Sequence, residues 1–262
     1  MSAVTVSIDQ SIATVTLNRP DSLNALDFAL AEGLNSALND IARNDSVRCV
    51  VLTGSGGHFM AGGDIAFFKR VLDSEDNARE TISPLFKHVH GSIETLRGMP
   101  QPVIARVQGA CAGFGVSLMS ACDLAVAAEG SVFTLAYCHL GVSPDGGSTW
   151  SLPRIVGLKR ANELMLLGDR FDATAAFQYG LINRVVEPEE LDATVQQLAR
   201  RLASGPAKAY ARGKALMQQS LQTPLTEQLD TERDFFLQCT EEADFAEGVN
   251  AFLEKRRPEF GN

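Results

Sequence analysis

One stretch limits what this chain can fold into: residues 103–123, Val-Ile-Ala-Arg-Val-Gln-Gly-Ala-Cys-Ala-Gly-Phe-Gly-Val-Ser-Leu-Met-Ser-Ala-Cys-Asp. It opens as a short apolar strand through Val103, Ile104, Ala105 and Val107 and crosses a loop of small residues at 109–115. It leaves as an apolar helical segment through Val116, Leu118, Met119 and Ala121. Glycine at a strand-to-helix turn lets the backbone approach a ligand closely and adopts dihedrals that other residues avoid. The first turn of the helix carries N–H groups without intrahelical partners, and these bear partial positive charge. Such a turn suits an anion, or an oxygen that becomes anionic during a reaction. Two other readings stay open on this stretch alone. One is a purely structural tight turn. The other is a dinucleotide-binding turn, for which Gly113 and Gly115 supply two glycines but Leu118 stands at the third position.

The rest of the chain places this unit in an α/β body. Residues 3–8 and 11–18 alternate around an Asp9-Gln10 turn and predict a β-hairpin. Leu26, Leu30, Leu34, Leu38 and Ile41 recur at helical spacing, which predicts an amphipathic helix over 26–43. A β-branched strand is expected at 47–53, then a second small-residue turn, His58-Phe-Met-Ala-Gly-Gly-Asp-Ile65, before a further helix. A polar link at 73–77 leads into a helix over 78–98. Strands are expected at 124–127, 132–134 and 182–186, a loop at 135–149, and helices near 158–167 and 173–179. From Glu189 onward the pattern is almost all helical. Strands alternating with helices predict parallel pairing, and a helical tail of this size must pack on the body or on another subunit.

Composition narrows the function. At 262 residues the chain forms one large domain or one and a half. A net charge of −9 argues against nucleic acid as a main partner, because phosphate neutralisation needs clustered cations. No apolar run is long enough for a bilayer, and the N-terminus lacks the basic-then-apolar pattern of a secretory signal. Cys49, Cys111, Cys122, Cys138 and Cys239 have no paired spacing, which predicts reduced thiols, a cytoplasmic location and no metal site. Cys111, Cys122 and Cys138 are expected to be buried small apolar residues.

The two small-residue turns taken together carry more. Phe59-Met-Ala-Gly-Gly-Asp-Ile65 and Gly109-Ala-Cys-Ala-Gly-Phe-Gly115, in this order and spacing, resemble the crotonase superfamily of enoyl-CoA hydratases and isomerases. Asn18-Arg-Pro20, Asn24-Ala-Leu26, Ala121-Cys-Asp123, Leu152-Pro-Arg154, Leu167-Gly168 and Phe252-Leu-Glu-Lys255 extend the resemblance along essentially the whole chain. It implies a spiral of stacked ββα turns over residues 1–195, and a helical C-terminal region over 196–262 that builds a homotrimer or a hexamer. It also implies an acyl-CoA thioester substrate, with no cofactor besides the CoA that the substrate carries. The thioester oxygen would sit between the backbone N–H groups of Gly63 and Phe114, a pair of donors supplying roughly 3 kcal/mol each by analogy with other oxyanion holes. Many members have glycine where Phe114 stands; a backbone donor tolerates the change, and the phenyl ring is expected to narrow the acyl pocket. Phe67, Phe68, Tyr137 and Trp150 would also set the shape of that pocket as substrate-binding side chains. Ala25, Leu26, Ala61, Asp64 and Ile65 match positions that line the CoA groove, and Lys255 matches one that reaches a neighbouring subunit's CoA. Asp64 can equally hold its own loop through backbone hydrogen bonds, and Lys255 can be a solvated helix-end cation.

Superfamily membership does not fix the reaction; the acid–base residues do. The two glutamates of the hydratases correspond here to Ser117 and Tyr137, neither of which can act as a carboxylate base. Asp145, in Leu-Gly-Val-Ser-Pro-Asp-Gly-Gly-Ser-Thr-Trp over 140–150, is the remaining candidate. Locally it reads equally as a helix N-cap. Pro-Asp-Gly-Gly followed by Trp and Leu-Pro-Arg resembles the ring-epoxide and enoyl-CoA isomerases of phenylacetate-type pathways, which implies an acid–base role for Asp145. The expected reaction is migration of a double bond. Three alternatives stand beside it: a hydratase; a 4-chlorobenzoyl-CoA dehalogenase-like hydrolase with Asp145 as nucleophile and His90 as base; and a non-catalytic RNA-binding or scaffold homologue. His90 reads equally as a packing or surface histidine.

Overall fold

The computed structural model describes residues 2–261; positions 1 and 262, the outer ends of the two expected regions, lie outside the described residues. The body is built on one six-stranded sheet. Its first two strands, β1 (Val4–Asp9) and β2 (Ile12–Leu17), form the hairpin, but the turn residues are Gln10 and Ser11, both with positive φ. A two-residue turn with both φ values positive matches the twist of the flanking strands, and that displaces the turn from the expected Asp9-Gln10. Helix α1 (Phe28–Ala42) follows, then β3 (Cys49–Gly54), α2 (Ile65–Asp73), α3 (Ala78–Gly98), β4 (Val103–Val107), β5 (Ala110–Ala112) and α4 (Phe114–Ala121). The chain continues through β6 (Leu124–Ala128), β7 (Val132–Thr134), α5 (Ser148–Val156), α6 (Leu158–Leu167), β8 (Phe171–Asp172), α7 (Ala173–Gln178), β9 (Arg184–Val186) and α8 (Leu191–Ala203). The tail comprises α9 (Ala207–Gln219), α10 (Leu225–Thr240) and α11 (Ala243–Glu254).

Strand order in the large sheet is β1-β2-β3-β4-β6-β9, and every pair from β2 onward is parallel. Parallel strands are covered on both faces, which explains why β3 reads as a continuous apolar run. The alternation within each strand then sorts the core into two layers. Val50, Leu52, Val103, Ala105, Ala125 and Ala127 face α1, α3 and α4, whereas Cys49, Val51, Ile104, Val126 and Ala128 face Leu191, Val195 and Ala199 of α8.

A second ladder runs beside this sheet. β5 pairs with β7 in parallel, β7 with β8, and Met60 forms an isolated parallel bridge to Cys111 in β5. Each circuit of the chain therefore adds one strand to the large sheet and one short segment to the ladder, then returns through helices. This is the crotonase spiral of stacked ββα turns.

Several boundaries differ from the sequence reading. α1 starts at Phe28 because Asp27 caps it, accepting from the Leu30 N–H at 2.9 Å; Leu26 instead bridges to Gly63. Residues 110–112, expected as loop, are a strand. The expected loop over 135–149 contains a short helical turn at Tyr137–Leu140 and ends inside α5. The expected division after residue 195 falls within α8, whose Val195 and Ala199 sit in one buried layer against the sheet. The packing changes character only after Ala203, where α9 buries no residue and α10 buries Gln228 alone. Cys138 is exposed, in contrast to Cys49 and Cys111, because its helical turn lies at the surface.

One ion pair ties the tail to the body. Lys214 of α9 donates to Asp123 Oδ2 at 2.8 Å and to the carbonyls of Leu96 and Gln101 at 2.9 and 3.1 Å. The lysine side chain is 9% exposed and the Asp123 side chain 21%, so its removal strands a half-buried carboxylate and two carbonyls. Lys214→Met should destabilise the chain by about 3 kcal/mol in denaturant unfolding. A loss below about 1 kcal/mol would place the pair among weak surface bridges instead.

Candidate active site

The two small-residue turns meet. Met60 N–H donates to Ala110 O at 3.0 Å and Ala112 N–H donates to Met60 O at 2.8 Å, so the ladder pulls the two loops side by side. Contact is closest at the glycines. A Cβ on Gly62, whose φ is +92°, would lie 3.2 Å from Ala112 O, and one on Gly113, φ +51°, would lie 3.4 Å from Gly62 Cα. Just beyond this contact lie the Gly63 and Phe114 N–H groups, neither with a hydrogen-bond acceptor among the described residues. Phe114 opens α4, so its N–H has no intrahelical partner. Two adjacent, unpaired, inflexible donors are what an oxygen gaining charge requires.

The first of these turns is braced from the N-terminal side. Leu26 N–H donates to Gly62 O at 2.7 Å and Asp64 N–H to Leu26 O at 3.0 Å, while Ala61 N–H reaches Leu23 O at 3.0 Å. Ala25 and Leu26 are buried and Ile65 is exposed, so these residues form one wall of mixed exposure beside Gly63. Asp64 holds the wall together. Its Oδ1 accepts from Phe67 N–H at 3.0 Å, capping α2, and its Oδ2 accepts from Arg19 at 2.8 Å. Burial alone would raise this carboxyl; the Arg19 guanidinium and the helix N–H groups outweigh it and hold the pKa below its ordinary value. Arg19 also reaches Asp27 at 3.1 Å. Asn24, fully buried at φ +58°, donates to Ser55 O and His58 O and accepts from Arg19 N–H. Arg19 and Asn24 thus set the shape of a loop to which sequence reasoning assigned only motif positions.

Asp145 sits across from the second turn, on the loop that enters α5. Tyr137 Oη donates to its Oδ1 at 2.5 Å. Its carbonyl accepts from Ser117 Oγ at 2.9 Å and from Ser148 Oγ at 3.1 Å. Ser117 and Tyr137, which the family resemblance sets at the hydratase glutamate positions, therefore converge on Asp145, the serine at its carbonyl and the tyrosine at its carboxylate. Burial pushes the Asp145 carboxyl above its ordinary value, and the Tyr137 hydrogen bond and the charge of His90 pull it partly back. Burial, then the neighbouring Asp145 charge, push the Tyr137 phenol well up, so it remains a donor. The capping role open to Asp145 is not the one it fills: α5 has no side-chain cap at its N-terminus.

The other sequence candidates fall in different places. His90 is exposed on α3, its ring 5.6 Å from that of Phe86, and it acts on Asp145 through charge, with no direct hydrogen bond. Lys255 is exposed at the end of α11 and has no ion pair or side-chain hydrogen bond among the described residues. α11 packs chiefly on α10, so within one chain Lys255 is not brought to the turns. Burial pushes the Cys49 thiol up to about 12 and raises Cys111 and Cys122 as well, which leaves these thiols unreactive. No group of three His, Cys, Asp or Glu side chains converges as a metal site among the described residues. No helix among them is long and apolar enough to cross a membrane.

The Tyr137 contact gives a signed expectation. Because its hydrogen bond lowers the Asp145 pKa, Tyr137→Phe should raise that pKa further. If Asp145 works as a base, the acidic limb of the kcat/KM profile must then move to higher pH. A limb that stays in place would separate Asp145 from the titration.

The spiral fold thus brings two donor turns into contact and sets a half-buried carboxylate on the loop that packs against the second of them. The family model described as enoyl-CoA hydratase/isomerase matches residues 7–262, and the chain belongs to that family. Among its relatives is the 1,2-epoxyphenylacetyl-CoA isomerase of Escherichia coli, 38% identical over 253 residues and covering 97% of this chain and 96% of the relative. A probable enoyl-CoA hydratase of Rhodobacter capsulatus is 38% identical over 254 residues, covering 97% and 95%. The crystal structure of an enoyl-CoA hydratase from Polaromonas sp. JS666 superposes with a TM-score of 0.92 at 34% identity, covering 98% of each chain.

Proposed function

We propose that this protein moves a double bond along the acyl group of an enoyl-CoA. The reading rests on one observation: the site holds a single carboxylate, Asp145, where the hydratase pattern has two, and both replaced positions support it. Hydration by two glutamates places and activates water; a proton shuttle needs one group that takes a proton from one carbon and delivers it to another. Asp145 removes a proton beside the conjugated system, charge moves onto the thioester oxygen, and the Gly63 and Phe114 N–H groups stabilise that dienolate. Asp145 then returns the proton at the other end. Its raised pKa brings the acid and base forms closer in energy, which favours a group that must play both parts. The E. coli relative, named as a 1,2-epoxyphenylacetyl-CoA isomerase, supports isomerisation of a CoA thioester as the broader class.

The wall formed by Ala25, Leu26, Ala61 and Ile65 is assigned to the CoA handle, with Asp64 as its internal brace. The tail carries exposed apolar side chains, Phe252 among them at 84%, and these fit a subunit contact in a homotrimer or a hexamer that would also bring Lys255 to a neighbouring site. The test of the reaction is incubation with a 3-enoyl-CoA and a 2-enoyl-CoA in heavy water, with product position and mass read together. Migration with deuterium incorporation is the expected result. Hydrated product without migration would make the chain a hydratase with an unusual base.

A further inference from the structure

We propose that the ring of Phe114, as distinct from its N–H, is a positioning element that wedges under the Asp145 loop and fixes where the carboxylate stands relative to the donor turn. The inference rests on the reading of Asp145 as the acid–base group. Its basis is a contact between the second turn and the loop. Phe114 is 2% exposed, so its ring offers almost no surface to an acyl group. Its Cδ2 and Cε2 lie where a Cβ on Gly146 would be only 2.6 and 2.7 Å away, and Ser117 Cβ would be 2.9 Å from the same point. Only a residue without a side chain fits between them.

Gly146 and Gly147, at φ +58° and +78°, turn the chain sharply from Asp145 into α5. The loop is thus pressed on the ring at Gly146, held by Ser117 and Ser148 at the Asp145 carbonyl, and held by Tyr137 at the carboxylate. The ring and the Ser117 hydroxyl both come from the first turn of α4, the same turn that presents the Phe114 N–H. One residue therefore contributes a donor through its backbone and, through its side chain, the spacing between that donor and the base. A glycine at this position would keep the donor and lose the spacer.

The experiment compares wild type, Phe114→Ala, Phe114→Leu and Asp145→Asn by kcat, KM and the pH profile of migration on a 3-enoyl-CoA. Displacing a reacting group by about 1 Å costs on the order of 10²-fold, and a kcat loss of that order with KM little changed is expected for Phe114→Ala. Water reaching the loosened carboxyl should also move the acidic limb to lower pH. Phe114→Leu, which refills the space, should recover most of kcat and restore the limb. Unchanged kcat in Phe114→Ala overturns the proposal. So does a loss of kcat with an unmoved limb, which would place the defect in the donor turn. Migration at near wild-type kcat in Asp145→Asn sinks the acid–base reading separately, whatever the Phe114 variants do. Should Phe114→Ala not fold, Gly146→Ala forces a methyl against the ring from the loop side, and wild-type kcat in that variant would equally overturn the wedge.

Discussion

Asp145→Asn should slow double-bond migration drastically, lowering kcat by about 10³-fold, within the range of 10² to 10⁴ that general acid–base catalysis contributes. The substitution is close to isosteric and disturbs little else. The Asn side-chain oxygen can still accept from Tyr137 Oη, and the contacts of Ser117 and Ser148 are to the backbone carbonyl, which the substitution leaves alone. CoA thioester binding should persist, because the wall around Leu26 and Gly62 is joined by its own backbone hydrogen bonds. Loss of solvent deuterium from the product should parallel loss of migration, since both need the same proton transfer. Retained migration in the variant would remove Asp145 from the chemistry. A covalent adduct on wild type with a halogenated aromatic CoA thioester, absent in the variant, would instead make Asp145 a nucleophile, with His90 as the group whose charge reaches it.

What the sequence reveals of this arrangement follows the range of the forces involved. The parallel core is legible because β3 and β4 are nearly continuous apolar runs and their faces alternate with period two. α3 is legible because Leu85, Val89 and Leu96 recur at helical spacing along its buried side. β5 is not, since Ala-Cys-Ala carries no periodicity and becomes a strand only by pairing with Met60 and β7. The start of α5 is hidden for a related reason: glycine, not a capping side chain, precedes it. In the site, motif order picks out Asp145, Gly63 and Phe114, but what holds Asp145 lies elsewhere in the chain. Ser117 is 28 residues away and Tyr137 is 8 away. Arg19 reaches Asp64 across 45 residues. Such pairs leave no local signal. The serine and tyrosine read as lost glutamates until the fold makes them supports of Asp145, one at its backbone carbonyl and one at its carboxylate.

The donor at Gly63 can be isolated by comparing two substitutions that carry the same Cβ. In Gly63→Ala and Gly63→Pro alike, that atom would stand 2.7 Å from Phe68 Cε2, at the outer edge of a ring that can swing away. Only proline also removes the N–H. Because the Gly63 N–H has no acceptor among the described residues, its removal breaks no structural hydrogen bond; the flanking bonds of Leu26 with Gly62 and Asp64 use other atoms. Excess loss in the proline variant then reports the lost donor together with what the proline ring itself brings, a Cδ in place of the hydrogen and a restricted backbone at Gly62, whose φ is +92°. Removal of one oxyanion-hole donor typically lowers kcat by about 10² to 10³-fold, and the ratio between the alanine and proline variants should fall in that range. The loss should appear in kcat more than in KM, because on the proposed route the oxygen would carry its charge in the dienolate and not in the bound ground state. Equal activity in the two variants would mean that the thioester oxygen does not rest against Gly63, and the Phe114 N–H alone would then have to bear the developing charge.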